Sequence, residues 1–468
     1  MAVEEKAAEP ARESAEGANG LRTGLKRRHM NLIALGGVIG AGLFVGSGVV
    51  IGSTGPAAVV SFLVAGALTV LIMRMLAEMT VARPVQGSFY VHVREELGRR
   101  AGFLTGWLYW YFFVIVVAVE AVAGGRIIQL WLPGAPLWAV SLVLMVLLTA
   151  TNMVSARAYG EFEYWFSSVK VAAIVVFLFA GVLWLAGVLP GGGGASEAAG
   201  NLVGHGGFAP AGAAAVLAAV VPCIGFFTGA EIVTIAAAES EEPERAVADA
   251  MRSIILRVVA FYVLSVAVVV SVVPWNSHAV QVSPYGAVLG AMGVPAVSTV
   301  MNAVVLTAVL SCLNSALYTS SRMLFALTGN GDAPRGLAKI GRGGVPRRAL
   351  LAGTVVGFAS TVAAWASPDG IFQFLINSYG AVALFVYLLV GLAQIRMRRR
   401  LEREDPDRLR LPMWGYPWLS WLAVAGMAAV LLAMAVLPDS RAQFWMSAVT
   451  LAVVLAGYEV RRRVRAEG

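Results

Sequence analysis

Residues 34–48 read Ala34-Leu-Gly-Gly-Val-Ile-Gly-Ala-Gly-Leu-Phe-Val-Gly-Ser-Gly48, an apolar run with glycine at 36, 37, 40, 42, 46 and 48. The run and its flanks are long enough to cross a bilayer, yet glycine costs a helix backbone entropy at every position. Two readings fit. In the first, the helix unwinds midway; free N–H and C=O groups at membrane depth are tolerated only where they are buried in protein or line a cavity. In the second, the glycines only let neighbouring helices approach closely. We favour the first, because broken helices are the usual binding apparatus of secondary transporters.

The rest of the chain supports a membrane setting. Of 468 residues, 59% are hydrophobic and 13% charged, against about 25% charged in soluble domains. Many segments reach the roughly 20 apolar residues that a spanning helix needs. The strict alternation of outer-membrane barrels is absent. Spans are predicted near 30–51, 56–79, 102–131, 136–154, 163–189, 213–238, 253–273, 297–328, 348–366, 371–395, 416–437 and 441–460, twelve in all. Gly52-Ser-Thr-Gly-Pro56 separates the first two. Residues 1–27 read as a disordered cytoplasmic tail, with no cleavable signal pattern. Residues 28–395 would form a transport core, and 396–468 the last two spans and a cytoplasmic C-terminus.

The net charge of +8 is explained by placement rather than by nucleic acid. Lys and Arg gather in alternate loops, while 190–212, 274–296 and 367–370 hold none. By the positive-inside rule both termini are cytoplasmic, at the cell membrane. The 190–208 loop reads as flexible and outward facing, and the 80–100 loop as a segment along the cytoplasmic surface. Tryptophans at span ends, among them Trp107, Trp131, Trp275 and Trp418, read as lipid anchors. The only cysteines, Cys223 and Cys312, lie in apolar segments, and the four histidines fall in predicted tails or loops. Neither a disulfide framework, a metal site, a cofactor nor a nucleophile–base pair is expected, which argues against an enzyme.

A second interruption falls in span six, Val221-Pro-Cys-Ile-Gly-Phe-Phe-Thr-Gly-Ala-Glu231. Pro222 removes one helical hydrogen bond, and Gly225 and Gly229 loosen the turn after it. Interrupted segments at matching depths in two halves point to an inverted repeat, here spans one to five and six to ten. Half-helix N-termini direct N–H groups at an anion, and half-helix C-termini direct carbonyls at a cation. A zwitterion fits such a site without a charged side chain, and glycine at 40 and 42 lets it approach the backbone.

Three ionisable residues fall within spans and are functional candidates because they are costly there. Glu231 is either a proton carrier and partner of a substrate amine or a structural acceptor for nearby backbone. Lys170 either snorkels to the surface or donates to carbonyls of the span-one break, at a place where related transporters bind sodium. Glu120 has three readings: substrate contact, pairing with Arg126, or facing a wet vestibule. Glu78, Glu161 and Glu163 sit at cytoplasmic span ends, where solvated or gate-pairing roles are expected. Span eight carries Ser311, Asn314, Ser315, Thr319, Ser320 and Ser321, with helix glue as the default reading.

The run 36–44 resembles the first span of amino acid permeases of the amino acid–polyamine–organocation superfamily, and Thr228 to Pro243 resembles their sixth span and its exit. Ser311 to Met323, Gly331-Asp-Ala-Pro334 and Met413 to Trp421 look most like bacterial γ-aminobutyrate permeases. The resemblance implies an all-α fold with a ten-helix inverted-repeat core plus two helices, and proton-coupled uptake of a small amino acid. It implies that the segment around Gly40, Ala41 and Gly42, with Ile39, holds the carboxylate. Carbonyls near Val38 and at Phe227, Thr228 and Gly229 would hold the amine. Lys170 matches a span-five lysine that replaces the sodium site in proton-coupled relatives. Phe226 and Phe227 keep the pocket apolar, which disfavours an acidic substrate. Substrate contacts are thus expected at 38–42, 226–229, Glu231 and Glu120, and proton coupling at Lys170 or Glu231. An exchanger, an α-amino acid permease or a non-transporting receptor are the alternatives; oligomeric state is left open.

Overall fold

The computed structural model describes residues 27–36, 39–40, 42–85, 87–189, 194–237, 245, 247–249, 254, 257–294, 296–341 and 344–467. Among them every regular element is helical, as expected where hydrocarbon leaves each segment to satisfy its own backbone. Helix α1 (Arg27–Gly36) stops at the glycine run, and a π-helical turn (Gly42–Gly46) leads into α2 (Ser47–Thr54). Gly55, at φ +68°, turns the chain through a 3-10 step (Gly55–Ala57) into α3 (Ala58–Ala82). Then come α4 (Phe89–Leu97), α5 (Arg99–Gln129), α6 (Leu137–Val154), α7 (Ala156–Leu185) and α8 (Gly194–Val203). The second interrupted segment comprises α9 (Gly212–Ala218), α10 (Val220–Phe227) and α11 (Ile232–Ala236). The π-helical run Arg257–Leu264 precedes α12 (Ser265–Val272), which is followed by α13 (His278–Val282) and α14 (Pro284–Ala291). The chain ends with α15 (Val297–Gly329), α16 (Arg347–Ala366), α17 (Pro368–Tyr379), α18 (Val382–Glu404), α19 (Trp418–Val436) and α20 (Pro438–Glu467).

Ten helical runs among the described residues are long and apolar enough to cross a membrane, so the chain is a multi-pass membrane protein. The first of these, Gly42–Ala82, has 41 residues, about twice what one crossing needs, and contains the turn at Gly55. The predicted seventh span is represented by the shorter apolar stretch Phe261–Val272.

Helices α5 and α15 pack along each other at the centre, and α16 leans on both. Helix α7 covers α15 and carries α1. Helix α18 fills the angle between α3, α4 and α5, whereas only 6% of the apolar window of α20 is buried, so α20 lies at the rim. Both interruptions are therefore held between the α5–α15 pair and outer helices.

Several loops are more built than predicted. The 80–100 segment folds into α4, with Phe89, Tyr90, His92 and Val93 buried, rather than lying on the surface. Its apolar residues face the bundle, and the Ser88 hydroxyl donates to Thr234 Oγ1 at 2.8 Å. The described part of the 190–208 loop contains α8, and the Phe208 carbonyl accepts from Ala57 N at 2.9 Å. Between 274 and 296 the chain folds back: Tyr285 packs on Phe44 and Phe177 with ring centroids 5.0 and 4.4 Å away. His29 and His92 lie in helices and are buried, contrary to their predicted loop placement.

Candidate substrate and coupling site

The first interruption brings bare backbone against side chains from four helices, α5, α7, α10 and α15. Ile39 and Gly40 are buried and non-helical; Val38 and Ala41 lie outside the described residues. A methyl placed on Gly40 would come within 2.8 Å of Cys312 Sγ and 3.8 Å of Glu120 Oε1. A methyl on Gly42 would meet Phe226 Cδ1 at 2.7 Å, and one on Gly46 would meet Phe226 Cζ at 2.8 Å. The half-buried Phe226 ring thus lies across the π-helical turn, stacked on Phe62 at 6.0 Å. Close approach to this backbone is reserved for a ring that can swing or for a ligand.

The second interruption falls where the glycine pattern put it. Helix α10 ends at Phe227, Thr228 is extended, and Gly229 adopts φ +103°, a conformation that a side chain would strain. Thr228 Oγ1 turns back to the Ile224 carbonyl at 3.3 Å, and Tyr262 donates to the Phe226 carbonyl at 2.9 Å. Glu231 is buried among local donors. Tyr109 donates to its Oε1 at 2.9 Å, Tyr387 to its Oε2 at 2.8 Å, and the Gly229 N–H reaches both oxygens at 3.2 and 3.1 Å. Three donors from α5, α18 and the turn anchor a fully buried carboxylate, as burial of such a group requires. Phe227 is buried against Tyr262, with ring centroids 4.4 Å apart.

Lys170 does not snorkel. It is fully buried, and its ammonium donates to the Ile39 carbonyl at 3.0 Å and to Ser311 Oγ at 2.8 Å. One cation therefore joins α7, the unwound segment and α15. Glu120 faces the same region from α5. Its Oε1 lies beside Gly40, and its buried Oε2 has no hydrogen-bond partner, an acceptor left for something that brings a donor.

The sequence profile of amino acid permeases matches residues 29–467. The chain belongs to the amino acid permease family. The γ-aminobutyric acid permease of Bacillus subtilis (strain 168) is 48% identical over 447 residues, covering 95% of this chain and 94% of that one. The γ-aminobutyric acid permease of Escherichia coli (strain K12) is 46% identical over 414 residues, 88% of each chain. The aromatic amino acid transport protein AroP of Corynebacterium glutamicum is 38% identical over 420 residues, 88% of this chain and 90% of that one.

Two carboxylates of this permease depart from the solvated alternative of the sequence reading, and one of them, Glu78, keeps the pairing alternative through Arg398. Glu163 is fully buried, accepting from Ser311 at 2.5 Å, Ser167 at 2.9 Å and Ser315 at 3.3 Å. Glu78 is buried too, bonded by Gln394 at 2.9 Å, Arg398 at 3.0 Å and the Met413 N–H at 2.7 Å. Glu161 stays partly exposed and pairs with Arg28. Ser311 and Ser315, one turn apart on α15, are the signal that could have placed Glu163, since that spacing presents two hydroxyls on one face. Trp107 is more than a lipid anchor, because its indole N–H donates to the Asp332 carbonyl at 3.2 Å.

Proposed function

We propose that this permease imports a small neutral amino acid, with γ-aminobutyrate first among candidates, by proton symport. The observation that carries the coupling is the Lys170 ammonium on the Ile39 carbonyl, beside the backbone that would receive the substrate. Loss of its proton would remove one donor from that joint and loosen the unwound segment. The substrate carboxylate would meet backbone N–H groups around Gly40, Ala41 and Gly42. Its amine would meet carbonyls near Val38 and the Phe227–Gly229 turn, with the unpartnered Glu120 Oε2 as a further acceptor. Glu231 would shape the second turn, because all its acceptors already have local donors.

The substrate class rests on the names of the 48% and 46% identical relatives. The AroP relatives raise a second reading, an aromatic amino acid. The higher identity to the γ-aminobutyric acid permeases, 48% and 46% against 38%, favours the first reading. The architecture we propose is twelve spans in a five-plus-five inverted repeat with two further helices. Residues 28–395 would be the core, and both termini would be cytoplasmic at the cell membrane.

The test is uptake of labelled γ-aminobutyrate into vesicles under an imposed inward proton gradient, competed by unlabelled amino acids. Concentrative uptake blocked by γ-aminobutyrate and close ω-amino acids supports both coupling and substrate. Stronger competition by alanine or serine would refute the named substrate, and accumulation that needs counter-substrate rather than a gradient would refute symport.

A further inference from the structure

We infer that Glu163 is the counter-charge and proton partner of Lys170, joined to it through the Ser311 hydroxyl. The inference deepens the proton-coupled reading above and rests on it for its transport consequence. Lys170 and Glu163 lie seven residues apart on α7, on one helix face. That spacing is about 10 Å along the axis, too far for a direct pair at the helix surface. Ser311 of α15 closes the gap, 2.8 Å from Lys170 Nζ and 2.5 Å from Glu163 Oε1. The second distance is that of a charge-assisted O–H···O⁻ bond.

The donor order is self-consistent. Lys170 donates to a lone pair of Ser311, and the one proton of Ser311 points at Glu163. Lys170, Ser311, Ser167 and Glu163 are all fully buried, and a charge in that setting is tolerated only with an opposite charge and saturating bonds. Ser167 and Ser315 supply the remaining donors, and Tyr159 Oη lies 3.3 Å from Ser315 Oγ.

The other groups around the pair are few. Helix α5 contributes Glu120. Helix α15 contributes Cys312 and, stacked on Tyr159 at 4.0 Å, Tyr318, whose far face carries the Arg322 guanidinium at 4.0 Å. Helix α6 contributes Asn152, whose Nδ2 donates to Asn314 Oδ1 at 2.8 Å and whose buried Oδ1 has no hydrogen-bond partner. The unwound segment contributes the Ile39 carbonyl, and toward the start of α7 lie Glu161, His29 and Arg28.

The transfer step balances without any outside reagent. An ammonium proton passes from Lys170 Nζ to Ser311 Oγ as the hydroxyl proton of Ser311 passes to Glu163 Oε1. A neutral amine and a neutral carboxylic acid replace an ammonium and a carboxylate, so the dry site keeps its net charge. The neutral amine keeps a weaker hold on the Ile39 carbonyl, which ties the step to the first interruption. Glu163 stands two turns nearer than Lys170 to the exposed Glu161–Arg28 end of α7, so the proton moves toward water as it moves along the relay.

The experiment uses the full chain, purified and reconstituted, with Glu163→Gln, Glu163→Asp, Ser311→Ala, Lys170→Met and the double variant Glu163→Gln/Lys170→Met. Proton-driven accumulation in Glu163→Gln and Ser311→Ala should fall by roughly tenfold or more and lose its pH dependence, while Glu163→Asp keeps a shifted profile. Thermal midpoints of the detergent-purified variants form a double-mutant cycle. Each single change at 163 or 170 strands one buried charge and lowers the midpoint; the double variant should recover most of the loss. Wild-type accumulation with a wild-type pH profile in Glu163→Gln would overturn the inference, and so would midpoint losses that simply add. If the unaltered chain shows no proton-driven accumulation, the symport reading falls, and the cycle alone upholds or overturns the charge partnership.

Discussion

Gly42→Ala probes the substrate cradle with a single methyl. Gly42 lies in a π-helical turn and is not among the residues with positive φ, so alanine fits its backbone and the perturbation is purely one of space. The new Cβ would stand 2.7 Å from Phe226 Cδ1, 3.3 Å from Cε1 and 3.4 Å from Cγ, so the ring must retreat by several tenths of an ångström. Phe62 stacks on one side of it, and Tyr262 holds the Phe226 carbonyl. Overpacking of this kind costs about 1–3 kcal/mol. If the substrate carboxylate reaches this backbone as proposed, the same methyl fills the space it needs, and a cost of that size expressed in binding is about 5- to 150-fold in Kd. Equilibrium binding of labelled γ-aminobutyrate to purified protein measures it. The double variant Gly42→Ala/Phe226→Ala separates the two contributions: recovery assigns the loss to the ring, and persistence assigns it to direct exclusion of the ligand. Wild-type affinity in Gly42→Ala alone would refute the cradle.

Three further outcomes are expected. Tyr387→Phe removes a hydroxyl donor from the buried Glu231 carboxylate, a loss of about 1.5–3 kcal/mol in stability. Its thermal midpoint should fall, and the combination with Tyr109→Phe should depart from additivity because both donors serve one group. Asp332→Asn weakens the junction where Asp332 accepts from Tyr90 at 2.8 Å and pairs with Arg94; limited proteolysis should cut faster between α15 and α16. His92, in α4 outside the spans, is pushed down to about 3 by burial and by Arg83, and its Nε2 has no partner. The unfolded chain takes up that proton near 6.5 and the folded chain only near 3. Its contribution is therefore complete above about pH 6.5 and is lost progressively below it, by up to about 5 kcal/mol. His92→Gln should flatten the fall of the thermal midpoint between pH 7 and 5; an unchanged slope would contradict the assignment.

The parts of the site made of backbone were legible in the sequence, and the parts made by helix rotation were not. Pro222, Gly225 and Gly229 weaken the helix of span six by their own backbone chemistry, and Gly40 and Gly42 announce close approach, so both interruptions could be read from one chain without neighbours. Lys170 was legible as costly, but two readings stayed open because its depth alone does not say which way it points. Glu163 and Glu78 read as solvated or gate-pairing because span ends are usually wet. Each is buried by a partner helix, α15 for Glu163 and α18 for Glu78, whose rotation about its axis no local pattern fixes. The 80–100 loop hid α4 because its charges at Arg94, Glu95 and Glu96 outweigh, in any average, the apolar face of Phe89, Tyr90 and Val93.

The two interruptions are held by joints of different kinds. At the second, neutral hydroxyls of Tyr109 and Tyr387 and one backbone N–H hold Glu231, donors that carry no charge to lose. That joint is tied onward: Thr234 accepts from Ser88 at the start of α4, and the α4 residues Tyr90 and Arg94 bind Asp332, whose carbonyl also takes the Trp107 indole and Arg461. The first interruption is attached to α7 and α15 through the ammonium of Lys170. A proton gradient acts only on a joint whose strength changes with a proton. Both joints hold a titratable group, the Lys170 ammonium at the first and the Glu231 carboxylate at the second, but only the first bonds directly to the unwound backbone at Ile39. Under the proposed function, coupling at the first joint would reach the proposed substrate cradle directly, while the second interruption would stay fixed against α5 and α18.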